Sequence, residues 1–102
     1  MDDAARELVR DWLTRASHDL RAARTLAAGK EPLLDTAIYH CQQAAEKAVK
    51  GWLQSHDNPF PKTHDIEELV AQAAKLHGDF TQFAKAAAVL TPEFGSQWIF
   101  AS

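Results

Sequence analysis

Tyr39, His40, Gln43, Glu46, Lys47 and Lys50 recur at steps of three and four residues. A helix running through them would carry all six along one side. His40 and Lys47 could then hold an anion while the Gln43 amide fixes its orientation. Glu46 and Lys50 stand four apart with the acid first, the favourable polarity for an intrahelical ion pair. The plain alternative is a solvated helix face. A second cluster is Lys62-Thr63-His64-Asp65, directly after a proline-rich turn. A helix starting there would offer free backbone N–H groups and a partial positive charge. With Lys62 and His64 beside it, such a start suits a phosphate. The alternative there is capping, with Thr63 or Asp65 stabilising the helix start and His64 incidental.

Other chemistries find little purchase. His18, His40, His56, His64 and His77 show no metal-type pairing with each other or with a cysteine. No metal and no cofactor is expected. The chain has no glycine-rich phosphate loop, no nucleophile elbow and no prominent carboxylate pair. The single cysteine, Cys41, cannot form an internal disulfide, and its position on an apolar stripe predicts a buried thiol rather than a nucleophile.

These residues need helices to position them. The first periodic segment spans about residues 3 to 28, with Ala5, Leu8, Trp12, Ala16, Leu20, Ala23 and Ala27 as its inward stripe. Asp2 or Asp3 caps its start and Gly29 stops it. The second spans about residues 33 to 56, with Leu34, Ala37, Ile38, Cys41, Ala45, Ala48 and Trp52 as its stripe and Gly51 as its weak point. Each helix is roughly 35 Å long, and a tight turn between them makes an antiparallel hairpin. Prolines 59 and 61 with Asp57-Asn58 exclude helix next. A third helix follows, with Asp65 and Glu68 at capping-box spacing and Ile66, Leu69, Val70 and Ala73 as its buried face. A fourth starts at Asp79 and turns Phe80, Phe83, Ala84, Ala87 and Leu90 inward. A short fifth runs from Glu93 to about Phe100, after Thr91-Pro92. The expected fold is therefore all-α, a single domain over residues 1–102.

Composition agrees. The chain has 102 residues, nineteen of them alanine, with only four glycines and four prolines. That balance favours helix. The formal charge of −3 argues against a strongly basic nucleic-acid binder, though a local basic face remains open. No apolar stretch approaches the length that crosses a bilayer, the charged N-terminal segment is unlike a signal peptide, and one cysteine fits a reducing compartment. The expectation is a cytoplasmic protein without a membrane partner. Long helices in so short a chain leave apolar surface for another chain to cover.

Three stretches carry a family resemblance: Ala16-Ser17-His18-Asp19-Leu20-Arg21-Ala22-Ala23, then Tyr39-His40-Cys41-Gln42-Gln43-Ala44-Ala45-Glu46-Lys47-Ala48-Val49-Lys50-Gly51-Trp52-Leu53, then Lys62-Thr63-His64-Asp65-Ile66-Glu67-Glu68-Leu69. Together they resemble the HEPN domain family, small helical prokaryotic domains often encoded beside minimal nucleotidyltransferases. The resemblance covers about residues 6 to 75. It implies an up-and-down bundle of four helices with a short fifth, paired as a homodimer. It further implies nucleotide or RNA association, a minimal nucleotidyltransferase partner, and a role in toxin–antitoxin or related systems. His18 and Asp19 fall in its first-helix motif. Many relatives are metal-independent ribonucleases that need an Arg-x4–6-His pair, and no arginine here precedes a histidine at that spacing. After Leu90-Thr91-Pro92-Glu93-Phe94 the chain also departs from the Arg-Tyr-Pro segment of relatives.

Three functions fit these residues. The favoured one is a non-catalytic HEPN module that binds nucleotide or partner through the second-helix face and the Thr-His-Asp turn. The second is a ribonuclease toxin with a displaced site, using His40 or His64 as acid and base and Lys47 to steady phosphate charge. The third is a purely structural interaction protein without a ligand.

Overall fold

The computed structural model describes residues 1–83 of the chain. The expected inward positions Ala84, Ala87 and Leu90 and the short fifth helix lie outside the described residues.

Helix α1 spans Asp3–Ala28. Its start is fastened by the Asp2 carboxylate, which accepts a hydrogen bond from the Ala5 amide at 2.8 Å, and Asp3 adds negative charge where the helix dipole favours it. Gly29 ends it in an extended conformation. The Leu33 amide reaches back to the Leu26 carbonyl at 3.0 Å and closes the turn. Helix α2 spans Leu34–Ser55. It stops in a Schellman arrangement, with the Asn58 amide on the Leu53 carbonyl and the Asp57 amide on the Gln54 carbonyl. The residue between, Asp57, takes a left-handed φ of 52°, a position where glycine costs less.

Contacts between α1 and α2 run in opposite order along the two helices. Gly51 lies against Trp12 and Leu13, while Asp19 meets His40 and Lys47. Small residues make this approach close. Ala16 and Ala23 of α1, and Ala37, Ala44 and Gly51 of α2, repeat every seven residues and are all buried. Seven residues is nearly two helical turns, so each set forms a narrow flat seam. A Cβ added at Gly51 would come within 3.1 Å of both the Trp12 Cβ and the Leu13 Cδ2. The expected weak point of α2 is thus a place where α1 leaves little room for a side chain.

This seam corrects both predicted stripes. Leu8 and Leu20 of α1 are 52% and 41% exposed, and Leu34 and Ile38 of α2 are 57% and 48% exposed. Ala48 is exposed and Cys41 only half-buried, so the thiol is not interior as expected. In α1 the packed line passes through Asp19 rather than Leu20, one residue or about 100° away. In α2 it passes through Ala37, Ala44 and Gly51, and the opposite side of that helix buries Gln42, Glu46 and Leu53.

Residues 56–65 form a strap that returns along α2. Phe60 lies edge-on to Trp12 with ring centroids 6.1 Å apart, and His64 reaches Glu46. Helix α3, Ile66–Leu76, begins there. Its Ile66, Leu69, Val70 and Ala73 are all at most 5% exposed, which is the face the sequence predicts. Ile66 and Val70 pack with Ala45 and Val49, and Leu69 and Ala73 pack with Leu53. Gln72 then bonds Asn58 and the Pro59 carbonyl at the far end of α2. Contacts therefore advance in the same order along α2 and α3. An up-and-down order would have turned α3 the other way; the strap carries the chain back first. Beyond α3, Gly78–Phe83 is a 3₁₀ helix rather than the α-helix predicted from Asp79. Its Phe80 closes on Trp52, centroids 4.5 Å apart.

Two stability changes test this packing by chemical denaturation. Gly51→Leu should destabilise the protein by about 2 kcal/mol, because the seam has no room for a side chain. Asp57→Gly should stabilise it by about 0.5–1 kcal/mol, because the left-handed position then carries no Cβ strain. An unchanged midpoint for the first would show that the helices are not in close contact at Gly51.

Candidate functional site

The polar side of α2 is not a solvated face. It divides between two packed interfaces, because residues 40 and 47 turn toward α1 while residues 46 and 50 turn toward the strap.

The first network joins α1 to α2. Asp19 Oδ1 lies 2.7 Å from His40 Nδ1, and Lys47 Nζ donates to Asp19 Oδ2 at 2.5 Å. The Asp19 side chain is 12% exposed, Lys47 22% and His40 28%. Burial alone would raise the Asp19 carboxyl. The hydrogen bonds from Lys47 and His40, with their positive charge, outweigh burial and hold it below its ordinary value of 3.8. Tyr39 sits edge-on to the His40 ring, centroids 5.3 Å apart.

The second network joins α2 to the strap. Lys50 Nζ donates to Glu46 Oε2 at 3.1 Å, as the i, i+4 spacing predicts, but both side chains are buried, 8% and 5% exposed. The other carboxylate oxygen, Glu46 Oε1, meets His64 Nδ1 at 2.9 Å. The Lys50 ammonium also lies over aromatic faces, 5.5 Å from the Trp12 ring centre and 5.8 Å from that of Phe60. Beside this network Gln42 is 5% exposed, and its Oε1 has no hydrogen-bond partner among the described residues.

At the start of α3, the Thr63 hydroxyl accepts from the Asp65 amide at 3.0 Å and the Asp65 carboxylate accepts from the Glu68 amide at 3.1 Å. Asp65 thus supplies the anion that the helix N-terminus favours, at the place where the sequence suggests a phosphate. His64 is not incidental, since it holds Glu46. Lys62 is exposed and Gln43 half-buried. His18 is exposed and points away from its neighbour Asp19, into a shallow depression on the outer side of α1 that Arg10, Ser17 and Arg21 also line.

The structure therefore gathers Asp19, His40 and Lys47 at one place and Glu46, Lys50 and His64 at another. The sequence places His40 and Lys47 together but suggests an external anion where the structure has Asp19. It gives no sign of the aromatic corner of Trp12 and Phe60 around Lys50. The signal for the first was available: a lone carboxylate, Asp19, on an otherwise apolar stripe calls for an internal partner. For the second there was none, because only the returning strap brings Phe60 beside Trp12.

Two measurements test these networks. Asp19→Asn should cost about 2 kcal/mol at pH 7, the scale of hydrogen bonds to a charged group. Because the folded carboxyl titrates below its unfolded value, its contribution is full above the unfolded value and disappears as pH falls through the folded one. The gap between wild type and Asp19→Asn should therefore close below about pH 4; a gap constant down to pH 2 would contradict the pairing. Glu46→Gln should cost about 3 kcal/mol, since it strands a buried ammonium. Glu46→Gln with Lys50→Met should cost clearly less than the two single changes summed.

A protein-family model described as HEPN domain matches residues 9–94. No curated protein and no solved structure matches the chain.

Proposed function

The chain belongs to the HEPN domain family, and from that premise we propose that it is a nucleotide- or RNA-associated helical module that acts by binding, not by cutting. The observation that carries this reading is that no arginine precedes a histidine at the Arg-x4–6-His spacing, and the pairing within the central motif adds to it. His40 is held by Asp19 and His64 by Glu46. Lys47, the candidate for steadying phosphate charge, is held by Asp19 as well. Both histidines are bound through Nδ1, which leaves Nε2 outside these pairs, but a phosphate at Lys47 would have to compete with the Asp19 carboxylate. Their arrangement supports a scaffold role for the central motif.

On this reading the module works as a homodimer beside a nucleotidyltransferase-type partner, in a toxin–antitoxin or related system. Leu13, Leu20, Leu34 and Ile38 are each roughly half exposed among the described residues. That apolar area supports pairing with another chain, which would remove it from water. Of the residues first singled out, Tyr39, Gln43, Lys62 and His18 are left to meet ligand or partner, since none of them is held by a carboxylate among the described residues.

Melting curves with ATP, GTP, their diphosphates and a short RNA test the binding reading. A ligand at about a hundred times its Kd stabilises the native state by about 2.7 kcal/mol, which should raise Tm by several degrees. The RNA should be recovered intact. No shift with any of these ligands would sink the binding reading, and cleavage would sink its non-catalytic part. Light scattering that gives a monomer at micromolar concentration would remove the dimer.

A further inference from the structure

Asp19 has a second consequence. From Ala16 to Ala28 it is the only carboxylate on α1, and it is turned inward to His40 and Lys47. The outer side of that stretch is therefore basic without compensation. Arg10, Thr14, Ser17, Arg21 and Arg24 follow one another at steps of four, three, four and three residues, a straight line along a helix. All five are exposed. The other carboxylates of this helix lie before residue 12: Asp3 pairs with Arg6 and Asp11 with Arg15, while Glu7 precedes Arg10 by one turn. No ion pair engages Arg10, Arg21 or Arg24 among the described residues.

We propose that this outer face of α1 binds a nucleic-acid strand through its phosphates, with the three arginines as phosphate contacts and the Thr14 and Ser17 hydroxyls as donors between them. The inference rests on the nucleotide- or RNA-associated reading and gives it a surface. A line of fixed cations matches a line of regularly spaced anions. Arg10 to Arg24 spans about 21 Å, the length of about six phosphates along one strand of a duplex. In line between the arginines stand two hydroxyls that can donate to phosphate oxygens, with Leu13 and His18 beside them in the same depression. The remaining charge favours the same orientation. Residues 56–83 carry five carboxylates and two lysines, and α3 packs on α2 rather than on this face. The overall charge of −3 is thus unevenly spread, with the second half of α1 its basic part.

The test is fluorescence anisotropy of the full chain with a labelled twelve-nucleotide single-stranded RNA, the matching DNA, and phosphatidylserine vesicles as a third probe. The variant Arg10→Gln/Arg21→Gln/Arg24→Gln changes only exposed side chains, and an unchanged Tm shows that it folds. It should bind nucleic acid at least tenfold more weakly at 0.1 M salt. The log–log salt dependence should flatten by about two units, since each lost phosphate contact contributes about 0.7–0.9. Lys75→Gln, on α3, should change neither. Preference for RNA or for DNA identifies which strand the face takes, and either supports the proposal. Equal affinity and slope for wild type and variant would overturn this face while leaving the proposed function standing. Vesicle binding that depends on the arginines, without nucleic-acid binding, would overturn it in favour of a membrane. A wild type that binds no nucleic acid but is stabilised by nucleotides would overturn the face alone. A wild type that responds to neither would overturn both.

Discussion

The buried carboxylate of Glu46 is the point where the described parts of the fold meet. A carboxylate that leaves water costs several kcal/mol unless partners surround it. Lys50 supplies one from the next turn of the same helix, and His64 supplies the other from across the strap. The strap must therefore run back along α2 as far as Glu46 before α3 can start. Lys50 extends the dependence to α1, because its ammonium lies over the rings of Trp12 and Phe60. One ion pair thus touches α1, α2 and the strap, and it sets where α3 begins.

The Asp19 network does for the α1–α2 seam what Glu46 does for the strap. The seam is built from alanines and one glycine, which pack closely but bury little apolar area each. Polar pairing at its edge adds direction that small residues lack. The same arrangement shapes the surface. Turning Asp19 inward leaves the second half of α1 with arginines outside, while the strap, α3 and the segment after it carry five carboxylates against two lysines. Charge is thereby sorted by the fold, and net charge is a poor guide to what such a protein binds.

Much of the local structure was legible. The bounds of α1 and α2, the Asp2 and Asp65 caps, the break at the prolines and the buried face of α3 follow from short-range rules of periodicity, capping and proline geometry. The inward faces of α1 and α2 did not follow. Leu20 and Ile38 look like core and are half exposed, whereas Glu46 and Lys50 look like surface and are buried. Periodicity weighs side chains by their average cost of burial. It does not see that a carboxylate and an ammonium can satisfy each other, or that a glycine admits a neighbouring helix.

The sequence by itself determined that the chain is helical, where α1, α2 and α3 start and stop, and which family it resembles, because each of these depends on residues close together in the chain. Tertiary structure alone decided which side of α2 is interior, that His64 serves Glu46, that Phe60 and Trp12 enclose Lys50, and that α3 follows α2 in the same sense. All four depend on contacts between residues eighteen or more apart or on the path of the strap. The physical reason is desolvation: whether a charge can be buried is settled by partners that only the folded chain brings within hydrogen-bonding distance.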